Sequence, residues 1–80
     1  MIAPVPATLD DLKVSQTGRV VQLTGSPAVR QRLGEMGLTV GSAIRMVRVA
    51  PLGDPVQIAV RHYHLFLRRS ETRCVVIEPE

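Results

Sequence analysis

The sequence predicts a mainly β protein, a small closed barrel of about five short strands with one short α-helix inserted at about residues 26–36. Two observations predict it. Runs rich in β-branched residues recur along the chain, broken by glycine and proline. A single segment carries helical spacing, and capping residues bound it at both ends. At 80 residues there is room for one domain and a thin core, so function is expected on the surface.

In chain order, residues 1–7 contain Pro4 and Pro6 and read as a loose tail, with the domain spanning 8–78. Thr8 before Leu9-Asp10-Asp11-Leu12 supplies a hydroxyl cap and two early acids, which predicts one helical turn whose leucines plug an end of the barrel. The first strand follows over Arg19–Thr24, between Gly18 and Gly25. Ser26 is suited to the N-cap and Pro27 to the first helical position, while Val29, Leu33 and Met36 fall on one face. Gly37 can end this helix in the left-handed conformation and bring Leu38 back onto Leu33. Gly34 weakens the helix interior, which suggests close packing against that turn.

A tight turn at Thr39–Ser42, with Gly41 at positive φ, leads into a strand from Ala43 to Ala50. The alternation of that strand slips once between Met46 and Val47, as a bulge requires. Pro51-Leu52-Gly53-Asp54-Pro55 breaks the chain, and Val56, Ile58 and Val60 then form a strand with one buried face. Residues 61–64 turn it into an antiparallel neighbour whose Leu65 and Leu67 continue the core. Arg68–Arg73 reads as a polar crossover holding one 3₁₀ turn, before a last strand over Cys74–Ile77.

Composition narrows the function. No apolar stretch approaches the roughly 20 residues needed to span a bilayer, and the first residues lack the charged and apolar regions of a signal peptide, so a cytoplasmic protein is expected. Cys74 is the only cysteine, which excludes an internal disulfide and a Cys-rich metal cage. The formal charge is +3, and nine of the ten Lys and Arg residues are arginine, which favours acidic partners. There is no glycine-rich phosphate loop, and so small a chain cannot wall off a pocket for a nucleophile with its base; an enzyme is not expected.

Several strings in their order resemble the FeoA family: Leu9-Asp10-Asp11-Leu12, Gly18-Arg19-Val20-Val21, Arg32-Leu33-Gly34-Glu35-Met36-Gly37-Leu38 with Gly41, Pro51-Leu52-Gly53-Asp54-Pro55, and Leu65-Phe66-Leu67-Arg68-Arg69-Ser70-Glu71. The resemblance covers roughly residues 8 to 78. It implies an SH3-like barrel and a cytoplasmic accessory role beside the ferrous-iron permease FeoB, in contact with the permease's GTP-binding part. The same domain ends iron-dependent repressors, so fold alone does not fix the role. The sequence departs from the family at Val40, where proline is usual, and at His62, where the hairpin turn usually has glycine. Histidine tolerates positive φ better than most residues.

The partner-binding face expected from the residues joins the helix end to neighbouring loops. Leu52, Met36 and Leu38 are its apolar anchors and Arg30, Arg32 and Arg48 its rim, although Leu33, Met36 and Leu38 also fit a core. A proline-rich ligand is not expected, because Tyr63 and Phe66 are the only aromatics. His62 and His64 form the one metal-like pair; a site would need Cys74, Glu78 or a second molecule to complete it. Alternation turns Cys74 and Glu78 outward together. No cofactor is required, and zinc or Fe²⁺ would be adventitious or regulatory, which leaves a metal-sensing module as the second reading. A nucleic-acid-binding barrel is the third, resting on Arg45, Arg48, Arg61, Arg68, Arg69 and Arg73; the lack of stacking aromatics argues against it. A monomer or weak homodimer is expected, since an open barrel edge can pair.

Overall fold

A computed structural model describes residues 7–80; the expected tail, apart from Ala7, lies outside the described residues. The elements are a 3₁₀ turn at Leu9–Asp11, β1 (Thr17–Leu23), α1 (Pro27–Glu35), β2 (Ala43–Val49), β3 (Val56–Val60), β4 (Tyr63–Leu67), α2 (Arg69–Thr72) and β5 (Val75–Pro79). The five strands form one antiparallel sheet in the order β4-β3-β2-β1-β5. β2 is therefore central, β1 lies between β2 and β5, and β4 and β5 are the outer strands. The expected closed barrel is corrected here: β4 and β5 do not pair, so the hydrogen-bonded ladder stays open at that seam.

The seam is bridged by side chains and helices. The N-terminal end of α1 sits by Gly25 and Cys74, Arg32 of α1 meets Glu71 of α2, and the Tyr63 hydroxyl at the start of β4 donates to the Met36 carbonyl at 2.9 Å. The β5 edge is capped by the incoming chain, through the Thr8–Val76 bridge and the Ile77 N–H bond to the Ala7 carbonyl. Leu33 of α1 joins Leu9, Leu12, Val20, Leu38, Ile44, Met46, Val56, Ile58, Val60, Leu67, Val75 and Ile77 in a single core.

Local chemistry accounts for the elements. The Thr8 hydroxyl accepts from Asp10 N–H, while the Asp11 carboxylate accepts from Thr8 N–H at 2.8 Å, a reciprocal cap on the first turn. Ser26 Oγ accepts from Val29 N–H at 3.2 Å. At the other end of α1, Gly37 takes φ +95° and the Leu38 N–H reaches back to the Leu33 carbonyl at 3.1 Å, the Schellman arrangement that the sequence predicts. The β2–β3 register shifts between Met46 and Arg48, which makes Val47 the predicted bulge.

Three further expectations are corrected. The positive φ of the β3–β4 turn falls on Arg61, at +53°, and not on His62. Arg69–Thr72 forms a short α-helix where a 3₁₀ turn is expected. Nothing lies within 4 Å of where a Gly34 Cβ would stand, so no neighbour packs on that turn. Gly34 therefore costs helix propensity with no packing return, and Gly34→Ala is expected to stabilise the domain by about 0.5–1 kcal/mol, measured by urea denaturation.

Candidate functional site

The loop between β2 and β3 presents the most exposed apolar side chain of the described residues. Leu52 is 97% exposed. It occupies the third position of a tight turn closed by the Gly53 N–H to Ala50 carbonyl bond at 2.7 Å, with Gly53 at φ +87°. The loop is held from behind by Arg69 of α2. Its backbone N–H donates to Asp54 Oδ1 at 3.2 Å, its Nε to the Gly53 carbonyl at 2.6 Å, and its Nη1 to Asp10 Oδ1 at 2.9 Å. Asp10 also accepts from the Thr72 hydroxyl, so one carboxylate ties the first turn to α2. Arg69→Ala removes the side-chain bonds of this hub. It is expected to cost about 1–2 kcal/mol in urea denaturation and to speed amide exchange at Gly53 at least about tenfold.

Next to Leu52 the outward face of the sheet carries a groove of about 210 Å³, lined by Arg48, Ala50, Pro55, Gln57 and Phe66. Its geometry follows from strand register. Arg48 lies opposite Gln57 and Gln57 opposite Phe66, so one row of the outer face reads Arg-Gln-Phe. The next row reads Arg45-Ala59-His64. Phe66 is 65% exposed. β2, β3 and β4 contain no acidic residue, and none of Arg45, Arg48 and Arg61 forms a salt bridge among the described residues.

The residues proposed for one partner face separate into different environments. Leu52 and Arg48 are exposed. Leu38 is completely buried in the core, which corrects its role as a surface anchor: the Schellman turn that ends α1 folds it inward. Met36 is half-buried against the core. Arg30 Nη1 donates to the Gly25 carbonyl at 3.0 Å, binding the helix to its own entry loop. Arg32 Nη2 lies 2.9 Å from Glu71 Oε2, and Glu71 Oε1 accepts from Arg68 N–H; these contacts join α1 to α2. Arg30 and Arg32 are thus engaged in holding the helices. Sequence reasoning missed Phe66, Ala50, Pro55 and Gln57. For Phe66 the signal was present: Leu65 and Leu67 as core residues force it to the other face of β4.

The metal candidates are not brought together. His62 is exposed on the hairpin turn, and His64 Nδ1 shares a 2.7 Å hydrogen bond with Gln57 Nε2 on the outer face. Cys74 precedes β5 and packs at Gly25, whose Cβ position lies 2.8 Å from its Sγ. Glu78 stands opposite Arg19 at the other end of β5. Cys74 and Glu78 are four positions apart, about 13 Å in extended strand, and Cys74 is half-buried against the core, so the two do not meet at one site. Among the described residues no three His, Cys, Asp or Glu side chains gather as a metal cage. No helix among them is long and apolar enough to cross a membrane.

A five-stranded antiparallel sheet curled around one core, with a short helix inserted, defines a small SH3-like fold. The chain matches the FeoA domain over residues 7–79 and belongs to that family, which is associated with ferrous iron transport. It is 33% identical over 70 residues to an Fe(2+) transport protein A/Fe(2+) transporter FeoB fusion protein of Porphyromonas gingivalis, covering 88% of this chain and 8% of that protein. The zinc complex of Stenotrophomonas maltophilia FeoA, an SH3 domain protein, superposes with a TM-score of 0.77 at 30% identity, over 90% of this chain and 89% of that one. A manganese-dependent transcriptional repressor superposes at 0.87 with 14% identity, over 98% of this chain and 38% of that one; this likeness concerns the fold alone.

Proposed function

We propose that this chain is a cytoplasmic, non-enzymatic accessory protein of ferrous iron uptake that binds the cytoplasmic, GTP-binding portion of a FeoB-type permease through the Leu52 loop. The observation that carries this reading is Leu52 itself, fully exposed at the tip of a loop that Arg69 holds in place. With Ala50, Pro55 and the exposed Phe66 in the groove beside its loop, Leu52 extends an apolar surface that a partner can cover. The family supports the identity of that partner, since a relative carries both proteins in one polypeptide. Such a fusion replaces encounter by a high effective concentration, which suits an interaction too weak to persist between free molecules.

The test is calorimetric titration of the full chain into the isolated GTP-binding part of the cognate permease, with and without nucleotide. Saturable binding is expected, and Leu52→Asp is expected to abolish it while shifting unfolding stability by no more than about 0.5 kcal/mol. Binding that Leu52→Asp leaves unchanged would remove this face from the reading, and no binding in any nucleotide state would remove the partner.

A further inference from the structure

Two backbone irregularities set arginines on the outer face of β2, β3 and β4. Arg45 and Arg48 are three positions apart, and regular alternation would turn them to opposite faces. The register shift between Met46 and Arg48 adds one residue to β2 and returns Arg48 to the outer face, opposite Gln57, as Arg45 stands opposite Ala59. Arg61 holds φ +53° in the β3–β4 turn, a backbone region that such turns ordinarily give to glycine or asparagine. Its side chain lines the same shallow depression, of about 450 Å³, as Arg45 and Ala59. Residues held in sparsely populated conformations collect at sites that clamp a ligand.

Charge and exposure narrow what this face can meet. Arg45, Arg48 and Arg61 are exposed, none forms a salt bridge among the described residues, and β2, β3 and β4 contain no acid. Glu80, the one carboxylate lining that depression, lies 3.7 Å from Arg19 Nε, and Asp54 beside the groove accepts from the Arg69 N–H. Phe66 shares a groove with Arg48 on this face and is 65% exposed. A nucleic acid would draw on several stacking rings, and Phe66 is the one aromatic that alternation turns to this side of β4. An anionic bilayer asks for less: its phosphates move sideways to meet arginines where they stand, and its interface accepts a single ring. We propose that the outer face of β2, β3 and β4 lies against an anionic bilayer surface, with Arg45, Arg48 and Arg61 on headgroup phosphates and the Phe66 ring entering the interface. This goes beyond the permease reading, in which the Leu52 loop meets a protein; the face beside that loop meets the lipid.

The test is sedimentation of the full chain with vesicles of phosphatidylcholine alone and of phosphatidylcholine with about one-third phosphatidylglycerol, with no permease present. Binding to the anionic vesicles is expected to be at least about tenfold tighter than to the neutral ones, and to fall at least about tenfold between about 0.1 and about 0.5 M salt. The chain contains no tryptophan, so Phe66→Trp supplies a single reporter whose emission is expected to shift to the blue on anionic vesicles. Arg45→Gln combined with Arg48→Gln is expected to weaken binding about twentyfold. Arg61→Gly separates binding from folding: relieved of its backbone strain, this variant is expected to resist urea at least as well as the parent and yet to bind anionic vesicles about fivefold more weakly. Equal binding to both kinds of vesicle, no binding at about 0.1 M salt, full binding by the double variant, or binding with no emission shift overturns the proposal. A polythymidylate of about ten residues that displaces the vesicles at equal phosphate concentration overturns it in favour of nucleic acid. Vesicle binding without any binding to the permease's GTP-binding part supports this proposal and removes the permease reading; the reverse pair of results overturns this proposal and leaves that reading standing.

Discussion

Truncating Leu33 to alanine is expected to lower the unfolding free energy by about 2–5 kcal/mol, read from urea denaturation. Leu33 is the one fully buried side chain of α1; Val29 and Met36 only border the core. The helix spans the seam where β4 and β5 do not pair, so a cavity at Leu33 weakens the strongest apolar attachment of that cover. The remaining attachments are the Arg32–Glu71 pair, with the arginine largely in water, and the Tyr63–Met36 hydrogen bond. Against a total stability of about 5–15 kcal/mol, the loss is large enough to leave a sizeable unfolded fraction at body temperature.

Gly37→Ala is the second large effect, expected at about 2–3 kcal/mol by the same measurement. Two costs combine at this position. Gly37 sits at φ +95°, a backbone conformation that costs an L-residue about 1–2 kcal/mol. A Cβ there would also run into the Tyr63 hydroxyl, displacing the phenol from the Met36 carbonyl and forfeiting about 0.5–1.5 kcal/mol more. Tyr63→Phe separates the two, because it removes only the hydrogen bond. If Gly37→Ala costs no more than Tyr63→Phe, the turn is not held in its left-handed form and the strain argument fails.

What was legible in the sequence was what local chemistry decides. Ser26, Pro27 and Gly37 define α1 because capping depends on residues within one turn of one another. The slip between Met46 and Val47 marks the bulge because alternation is a property of a single strand. The errors concern contacts between distant segments. Arg32 looks like a free rim until Glu71 is placed beside it. Cys74 and Glu78 share a face by alternation, yet they stand apart along β5, Cys74 against Gly25 and Glu78 opposite Arg19. The turn strain moved from His62 to Arg61 because the hairpin closes at Val60 and Tyr63, and that register is set by burying Ile58, Val60 and Leu67 together. Of the candidate site, Leu52 and Arg48 were legible and the groove beside them was not, since Ala50, Pro55, Gln57 and Phe66 meet only after three strands have paired.

The place of β1 between β2 and β5 has a kinetic consequence. Its Gly18 pairs with Ile44 on one side and with Pro79 on the other, so one flank is completed only by β5, far along the chain. During synthesis the sheet lacks that flank until Val75–Pro79 has left the ribosome. Contacts that close so long a loop place folding in the slow range for small domains, about milliseconds to seconds. A nascent chain halted before Val75 would therefore expose β1 to chaperones and to other chains, and release of β5 would act as the trigger for folding.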